Sequence, residues 1–321
     1  MFRTAALLGI LGLFAATGVI VWSGWAQVAL ALAHVGWGIL AIAALHAVPL
    51  VISSGGWRVL VAGKHSPSWG RFLYFMWLRA AVNNLMPVAR IGGEIAVVRV
   101  MVAHGMRRNM AIALTVVELT LSVVATFAFV VLGIVLFALR VNDSNLVAQL
   151  FWGAALSLPA IAAMIAVQRV GFFRLLAKLF HLLFRDKWAP LAGDGAVLDH
   201  TVTALYRRHR RVVASVILLF LSWAFGSTEI AVALYLLGHP LPFIEAVMIE
   251  ALILGAASAA FVVPGALGVQ EAGFLIFGGM LGLPHDIAAA LAVIRRCSDL
   301  ICYVPGLIVW QMHEGRRLLR D

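Results

Sequence analysis

The chain has 321 residues, of which 63% are hydrophobic and 12% are charged, and its formal net charge is +10 at pH 7. Soluble domains carry about twice that share of charged residues, so the composition excludes a soluble enzyme or a soluble binding domain. Several apolar stretches reach the roughly 20 residues that cross a bilayer as a helix. The sequence therefore predicts an all-α, polytopic integral membrane protein.

Six apolar stretches are predicted to cross the membrane as helices. The first, Ala5–Trp22, follows Arg3 and resembles a signal peptide. Its length and the lack of a clear cleavage site favour an uncleaved anchor. The other predicted spans are His34–Ile52, Met110–Leu139, Leu146–Val167, Val212–Leu237 and Ile287–Gln311.

Two further apolar stretches are interrupted by a break. The first is predicted to form a hairpin from Phe72–Met86 and Glu94–Ala103, and the second from Ile244–Val263 and Val269–Gly282. Broken backbone at membrane depth must be buried in protein or line a wet cavity. We therefore expect two re-entrant helical hairpins, with two long kinked spans as the competing topology.

The two hairpins are similar in sequence. Pro87 and Glu94 recur as Pro264 and Glu271, at an offset of 177 residues (264 minus 87). Eight of 32 gapless positions are identical at this offset. The other six identities pair Ala89 with Ala266, Gly105 with Gly282, Ala111 with Ala288, Ala113 with Ala290, Leu114 with Leu291 and Val116 with Val293. Such internal repeats are typical of membrane transporters.

The distribution of Lys and Arg predicts the orientation of the repeats. Cytoplasmic loops are enriched in these residues, and anionic lipid attracts them. The basic segments are the N-terminus, 58–71, 107–108, 168–211 and 316–320, whereas 23–33, 140–145, 238–242 and 283–286 are poor in charge. Both termini are then cytoplasmic and the hairpins enter from opposite faces. This predicts an inverted repeat within a single membrane domain, residues 1–321, with repeat one at about 34–139 and repeat two at about 212–311.

The segment 168–211 is strongly basic, and its aromatic and leucine residues alternate with cations at helical spacing. This pattern is typical of an amphipathic helix on an anionic leaflet. A solvated linker fits Ala189–Gly195 better.

Polar side chains at membrane depth are the candidate functional residues, because they are costly there. The planar guanidinium of arginine suits phosphate, so the arginines are predicted to bind a polar or anionic headgroup. The asparagines either bond the freed backbone or contact substrate. The candidates for substrate binding are Arg79, Asn83, Asn84, Arg90, Arg295 and Arg296.

Four carboxylates are candidates for gating or coupling: Glu94, Glu118, Glu271 and Asp299. Glu94 and Glu271 each open the second arm of a hairpin, where a carboxylate also caps a helix. Glu118 and Arg295 are equivalent by the repeat and are predicted to face each other, as a structural pair or as one broken during transport. Arg296 and Asp299 are close enough along one helix to pair. Glu229 and Glu250 also lie at membrane depth, and the sequence assigns them no partner.

No enzyme signature is present: the chain lacks the common nucleotide-binding, metalloprotease, serine-hydrolase and zinc-site patterns. Cys297 and Cys302 lie in an apolar stretch and are interpreted as small hydrophobic residues. We therefore expect no catalytic residues, no metal, no cofactor and no nucleic-acid partner.

The motif Arg79-x3-Asn83-Asn84-x2-Pro87-x2-Arg90-x-Gly92-Gly93-Glu94, with Pro264-Gly265-x2-Gly268-Val269-x-Glu271 and the later Arg295, resembles the transmembrane region of the lysylphosphatidylglycerol synthase/flippase family. The likeness covers about residues 35 to 311. The length of the chain is similar to that of stand-alone members of the family, which are associated with hopanoid biosynthesis in bacteria. Gln270 stands where the family pattern has a basic residue.

The resemblance implies a flippase-like fold in the bacterial inner membrane, and it implies that aminoacyl transfer, done by a separate soluble domain in longer relatives, is absent here. We expect a transporter of hopanoid or anionic phospholipid. The alternatives are an accessory membrane protein of a lipid-biosynthesis complex and an ion-coupled carrier of a small solute. A homo-oligomer or a lipid-biosynthesis partner is compatible with each.

Overall fold

The structure is a computed structural model and describes residues 35–61, 66–86, 92–140, 144–169, 195–260 and 268–318, together with Ala33, Gly63 and Ala266. The described residues contain helices and no strand, so the all-α prediction is confirmed. In chain order the helices are α1 Gly38–Val61, α2 Trp69–Leu85, α3 Gly92–Ala103, α4 Arg108–Arg140, α5 Ser144–Arg169, α6 Gly195–Tyr206, α7 His209–Leu236, α8 Phe243–Ala259, α9 Val269–Met280 and α10 His285–Leu318.

Four of these helical stretches are long and apolar enough to cross a membrane: α1, α4, α7 and residues 148–166 of α5. They correspond to four of the predicted spans. The predicted span Ile287–Gln311 lies within α10, which has 34 residues. It also carries Arg295, Arg296 and Asp299, which lower its hydropathy. The predicted span Ala5–Trp22 lies outside the described residues.

The predicted hairpin arms are present as α2 and α3 and as α8 and α9, and the two arms of each pair pack against each other. The second arms, α3 and α9, each have 12 residues. At about 1.5 Å per residue such a helix is about 18 Å long, well short of a hydrocarbon core of about 30 Å. The backbone of Met86 is extended at the end of α2, as expected for the residue before a proline. The breaks at 87–91 and 261–265 lie outside the described residues.

The turns that follow the two hairpins are equivalent. Gly105 and Gly282 adopt positive φ angles of 89° and 87°, which glycine does at little cost. In both turns the next N–H donates to the carbonyl five residues earlier, from Met106 to Met101 and from Leu283 to Gly278, each at 3.0 Å. This is the pattern of a helix that ends on a left-handed glycine. The Gly105/Gly282 identity therefore has a structural cause.

The packing of the helices has the same symmetry. α1 packs against α7, and the other contacts among α1–α4 and α7–α10 occur in matched pairs. α2 packs on α10 as α8 packs on α4, and α1 contacts α10 as α7 contacts α4. The contact pattern is thus unchanged when α1–α4 are exchanged with α7–α10. The orientation of the two halves in a membrane stays a prediction.

Small residues bring the helices close together at the two equivalent contacts, α4 with α8 and α10 with α2. A Cβ added at Gly133 of α4 would overlap the methyl group of Ala251 on α8. A Cβ added at Gly306 of α10 would lie 3.0 Å from the Cβ of Ala81 and 3.0 Å from the ring of Trp77 on α2. Glycine and alanine allow helices to approach in this way inside membranes.

Gly133→Ala is therefore expected to force α4 and α8 apart and to destabilise the protein by about 1–3 kcal/mol, the usual cost of overpacking. The measurement is the unfolding midpoint of the purified protein in detergent. Gly153→Ala on α5 is the matched control, because nothing lies within 4 Å of its added Cβ. Equal midpoints for the two variants would show that the α4–α8 contact yields to the methyl group.

Helix α6 is the first described helix within the basic segment 168–211 that follows α5. It packs on α4 and α5, and Leu198, Val202 and Leu205 are buried in the core formed with α1–α4. These side chains form one apolar stripe, which packs against protein. The aromatic and leucine residues that predict an amphipathic helix on the membrane surface, between 172 and 184, lie outside the described residues, and that helix stays a prediction.

Candidate site: two buried ion-pair clusters

Two groups of charged side chains are enclosed by the helices. The first cluster consists of Arg79, Asn83, Glu94 and Glu118 from α2, α3 and α4. The second cluster draws on α1, α7, α8, α9 and α10 and consists of His46, Glu229, Glu250, Glu271, Arg295, Arg296, Asp299 and Tyr303. Of the predicted substrate-binding and gating residues that the structure describes, all except Asn84 lie in these clusters.

Arg79 is the centre of the first cluster. Its Nε donates to Glu94 Oε1 at 2.7 Å, and its Nη1 donates to Glu118 Oε2 at 2.7 Å. Its guanidinium carbon lies 5.5 Å from the ring centroid of Trp57, a cation–π distance. Glu118 is 1% exposed. One arginine thus joins both arms of the hairpin to α4.

Asn83 joins the two arms of the first hairpin next to the break between them. Its Oδ1 accepts from the N–H of Gly93 at 2.9 Å, and its Nδ2 is 3.4 Å from Glu94 Oε1. A Cβ at Gly93 would lie 2.6 Å from the carbonyl oxygen of Arg79, so only glycine lets the arms approach this closely. Asn84 donates instead to Ala80 of its own helix at 2.9 Å. Asn83 therefore hydrogen-bonds a backbone N–H beside the break, which is one of the two roles that the sequence predicts for it.

Arg295 is the centre of the second cluster. Its Nη2 lies 2.6 and 2.7 Å from the two oxygens of Glu250, and its Nη1 donates to Glu229 Oε2. The predicted pairing of Arg295 with Glu118 is therefore wrong, because Glu118 pairs with Arg79. Glu118 and Arg295 occupy equivalent positions in the two halves, and each forms its ion pairs with residues of its own half.

The predicted pair of Arg296 and Asp299 is confirmed, at 3.2 Å. Arg296 also donates to Glu271 Oε1 at 2.6 Å. The other oxygen of Glu271 accepts from the N–H of Gly268 at 2.7 Å. Glu271 therefore caps α9 and holds an arginine at the same time. Glu94 differs, since it contacts the side chains of Arg79 and Asn83, and Asn83 in turn binds the first turn of α3.

His46 links the two halves within the second cluster. Its Nδ1 lies 2.8 Å from Glu229 Oε2 on α7, and its Nε2 lies 3.2 Å from both Asp299 Oδ1 and the hydroxyl of Tyr303 on α10. Only 10% of its side chain is exposed. Sequence reasoning missed His46, although an ionisable residue inside an apolar helix was the available signal.

The clusters are charge-reversed counterparts. In the first, the arginine lies on the first hairpin arm and the carboxylate on the helix after the hairpin, as Arg79 and Glu118. In the second, Glu250 lies on the arm and Arg295 on the following helix. Sequence reasoning left Glu229 and Glu250 without partners because helix-to-helix neighbours are set by packing.

Carboxylates outnumber arginines in both clusters. The first holds one arginine and two glutamates. The second holds two arginines and four carboxylates, with His46 between two of them. Arg79, Arg295 and Arg296 are all engaged by carboxylates. Arg90 lies outside the described residues. Across the described ranges, no group of three His, Cys, Asp or Glu is arranged to hold a metal ion.

These features define a polytopic α-helical membrane protein with two helical hairpins and two enclosed ion-pair clusters. The chain belongs to the family described as the lysylphosphatidylglycerol synthase TM region, whose model matches residues 9–306. Neither a curated protein nor a solved structure matches the chain. Family membership indicates a role related to membrane lipid.

Proposed function

We propose that this protein transports a lipid with a charged or polar headgroup across the bacterial inner membrane and catalyses no reaction. The observation that carries the proposal is the pair of ion-pair clusters enclosed within an otherwise apolar helical bundle. Charged groups at membrane depth are expensive, and ion pairs buried there contribute little net stability. Their presence at both hairpins therefore favours a role in handling cargo over a role in folding alone.

The hairpins supply the means of movement. Each cluster ties a short second arm to the first arm or to a long helix, through Glu94 in the first hairpin and Glu271 in the second. A headgroup that competes for Arg79 or Arg296 would release that arm. In a repeat protein, alternate release of the two halves opens a central site to each face in turn.

The charge balance bears on the cargo. A purely anionic head must displace a carboxylate from an arginine, and it enters clusters that already have excess negative charge. A head that also carries an amine can satisfy the carboxylates it releases. Hopanoid and anionic phospholipid remain the candidates from the sequence, and a lipid with an amino group is the candidate that the excess of carboxylates favours.

The test uses purified protein in vesicles containing trace lipids labelled on an acyl chain, with an anionic, an aminoacylated or a zwitterionic headgroup. Chemical quenching of the outer leaflet then reports transfer between leaflets. We expect the wild type to move a charged-headgroup lipid faster than empty vesicles do. Glu118→Gln is expected to abolish this transfer, because it removes a charge that holds Arg79.

Glu245→Gln is the matched control. Glu245 is buried, pairs with the exposed Arg140 at 3.2 Å and lies outside both clusters. It should transport as the wild type does. Full transfer by Glu118→Gln would overturn the assigned role of the first cluster, and wild-type transfer no faster than in empty vesicles would overturn the transport proposal.

The second candidate function is a non-transporting accessory protein that assembles with a lipid-biosynthesis enzyme or with copies of itself. It predicts no transfer by the purified protein, together with a defined lipid that stays bound through gentle purification. Mass spectrometry of that lipid would also separate hopanoid from phospholipid cargo. An ion-coupled solute carrier predicts instead that a small solute raises the unfolding midpoint.

A further inference from the structure

We propose that His46 is a proton-binding site that couples proton movement to the transport cycle. This inference rests on the proposed function and names the coupling ion for the second cluster. It starts from the two ring nitrogens, which both face acceptor oxygens of carboxylates, Glu229 Oε2 at 2.8 Å and Asp299 Oδ1 at 3.2 Å.

A neutral imidazole has one N–H and one lone pair, whereas the protonated ring has two N–H donors. A neutral His46 would therefore direct a lone pair at one of the two carboxylate oxygens. Tyr303 can donate its hydroxyl to Nε2 at 3.2 Å, which gives the neutral ring one favourable partner. The geometry thus accommodates both states of the ring, and only the protonated ring satisfies both carboxylates.

The charges around His46 favour a bound proton. Glu229 comes from α7, Arg295 and Asp299 come from α10, and Glu250 of α8 reaches the same group through Arg295. Arg296 of α10 binds Asp299 and Glu271 of α9. Over this set, four carboxylates face two arginines, so one added proton reduces an excess of negative charge. Trp57, which contacts Arg79 of the first cluster, is 11 residues after His46 on α1 (57 minus 46), roughly 16 Å along the helix axis.

Glu229 supplies a second observation. Its Oε1 is buried and has no hydrogen-bond partner within the described part of the chain, while its Oε2 accepts from both His46 and Arg295. Buried polar atoms are rarely left in this way. His46 Nδ1 can pass its proton to Glu229 Oε2 across their 2.8 Å contact, by breaking one N–H bond and forming one O–H bond.

The proton would act on the contact between the two halves. His46 lies on α1 of the first half, and both carboxylates lie on helices of the second. A protonated ring therefore ties α1 to α7 and α10, and loss of the proton removes one tie. Both α1 and α10 contain an interior proline, Pro49 and Pro305, where helices bend readily.

The test has two measurements on the full chain. In vesicles with a pH gradient of one unit, coupling of one proton per lipid should shift the final distribution of labelled lipid between leaflets by up to about tenfold. His46→Gln should lose this gradient-dependent shift, because the ring that would carry the proton is absent. His239→Gln is the control, because His239 lies in the exposed turn between α7 and α8 and should retain the shift.

The second measurement is the pH titration of 15N-labelled histidine ring signals in detergent. One signal should disappear in His46→Gln and should titrate at a different pH in Glu229→Gln. A wild-type distribution that ignores the gradient, with lipid still moving, would overturn the coupling and leave the proposed function in place. If no lipid moves at all, the proposed function fails. A His46 signal that does not change with pH would overturn the proton site.

Discussion

Arg295→Gln is expected to abolish lipid transport and to lower the free energy of unfolding by about 3–5 kcal/mol, the usual cost of removing one partner from a buried ion pair. Arg295 binds both oxygens of Glu250, and it shares Glu229 with His46. Without its charge, two carboxylates that are each only 4% exposed would be left in an apolar interior.

The measurement is unfolding of the purified variant by a denaturing detergent, alongside the vesicle transfer assay. Arg140→Gln is the matched control. The side chain of Arg140 is 66% exposed and pairs with Glu245 at 3.2 Å, so its loss should cost about 1 kcal/mol or less. Equal losses for the two variants would show that Glu229 and Glu250 are relieved by water or protons when Arg295 is absent.

A triple variant separates stability from function. Replacing Arg295, Glu229 and Glu250 together with glutamine removes the arginine and both of its carboxylates, and neutral replacements of a whole buried group are often tolerated. We expect most of the lost stability to return while transport stays abolished. Recovery of transport would show that the second cluster is structural and that cargo is handled elsewhere.

Local features of the fold could be predicted from the sequence because they depend on short-range rules. The extended Met86 precedes a proline, Gly105 and Gly282 have the positive φ that ends a helix, and Arg296 reaches Asp299 one turn away. These features need only the chain near each residue. The arms of both hairpins follow from the same kind of reasoning.

Long-range partners could not be predicted in this way. The internal repeat makes Glu118 and Arg295 equivalent. Equivalent residues have equivalent neighbours in their own halves, which are α2 for Glu118 and α8 for Arg295. His46 and Glu229 are 183 residues apart, and only the packing of α1 on α7 brings them together.

The charge-reversed arrangement of the two clusters can be tested by exchanging the charges of Arg79 and Glu118 in the first cluster. Arg79→Glu would place three carboxylates together, and Glu118→Arg would place two arginines together. Each single change is expected to cost about 3–5 kcal/mol of stability and to abolish transport. Neither variant leaves a way to balance charge inside the bundle.

The double variant Arg79→Glu/Glu118→Arg should behave differently. It restores the charge of the first cluster and copies the order found in the second, with the carboxylate on the hairpin arm and the arginine on the following helix. We expect a favourable coupling energy of about 2–3 kcal/mol between the two changes, within the range for residues in direct contact. The measurement is a double-mutant cycle in the same detergent-unfolding assay.

The matched control is the same exchange at Arg140 and Glu245, where the exposed arginine should give a coupling of about 1 kcal/mol or less. Additive losses at Arg79 and Glu118 would show that the geometry around Trp57 and Glu94 accepts the arginine only on α2. Recovery of stability together with measurable transport would show that the bundle needs an ion pair between hairpin and long helix, in either direction. The two halves would then use the same ion pair between a hairpin arm and the following helix, with the positions of the two charges exchanged.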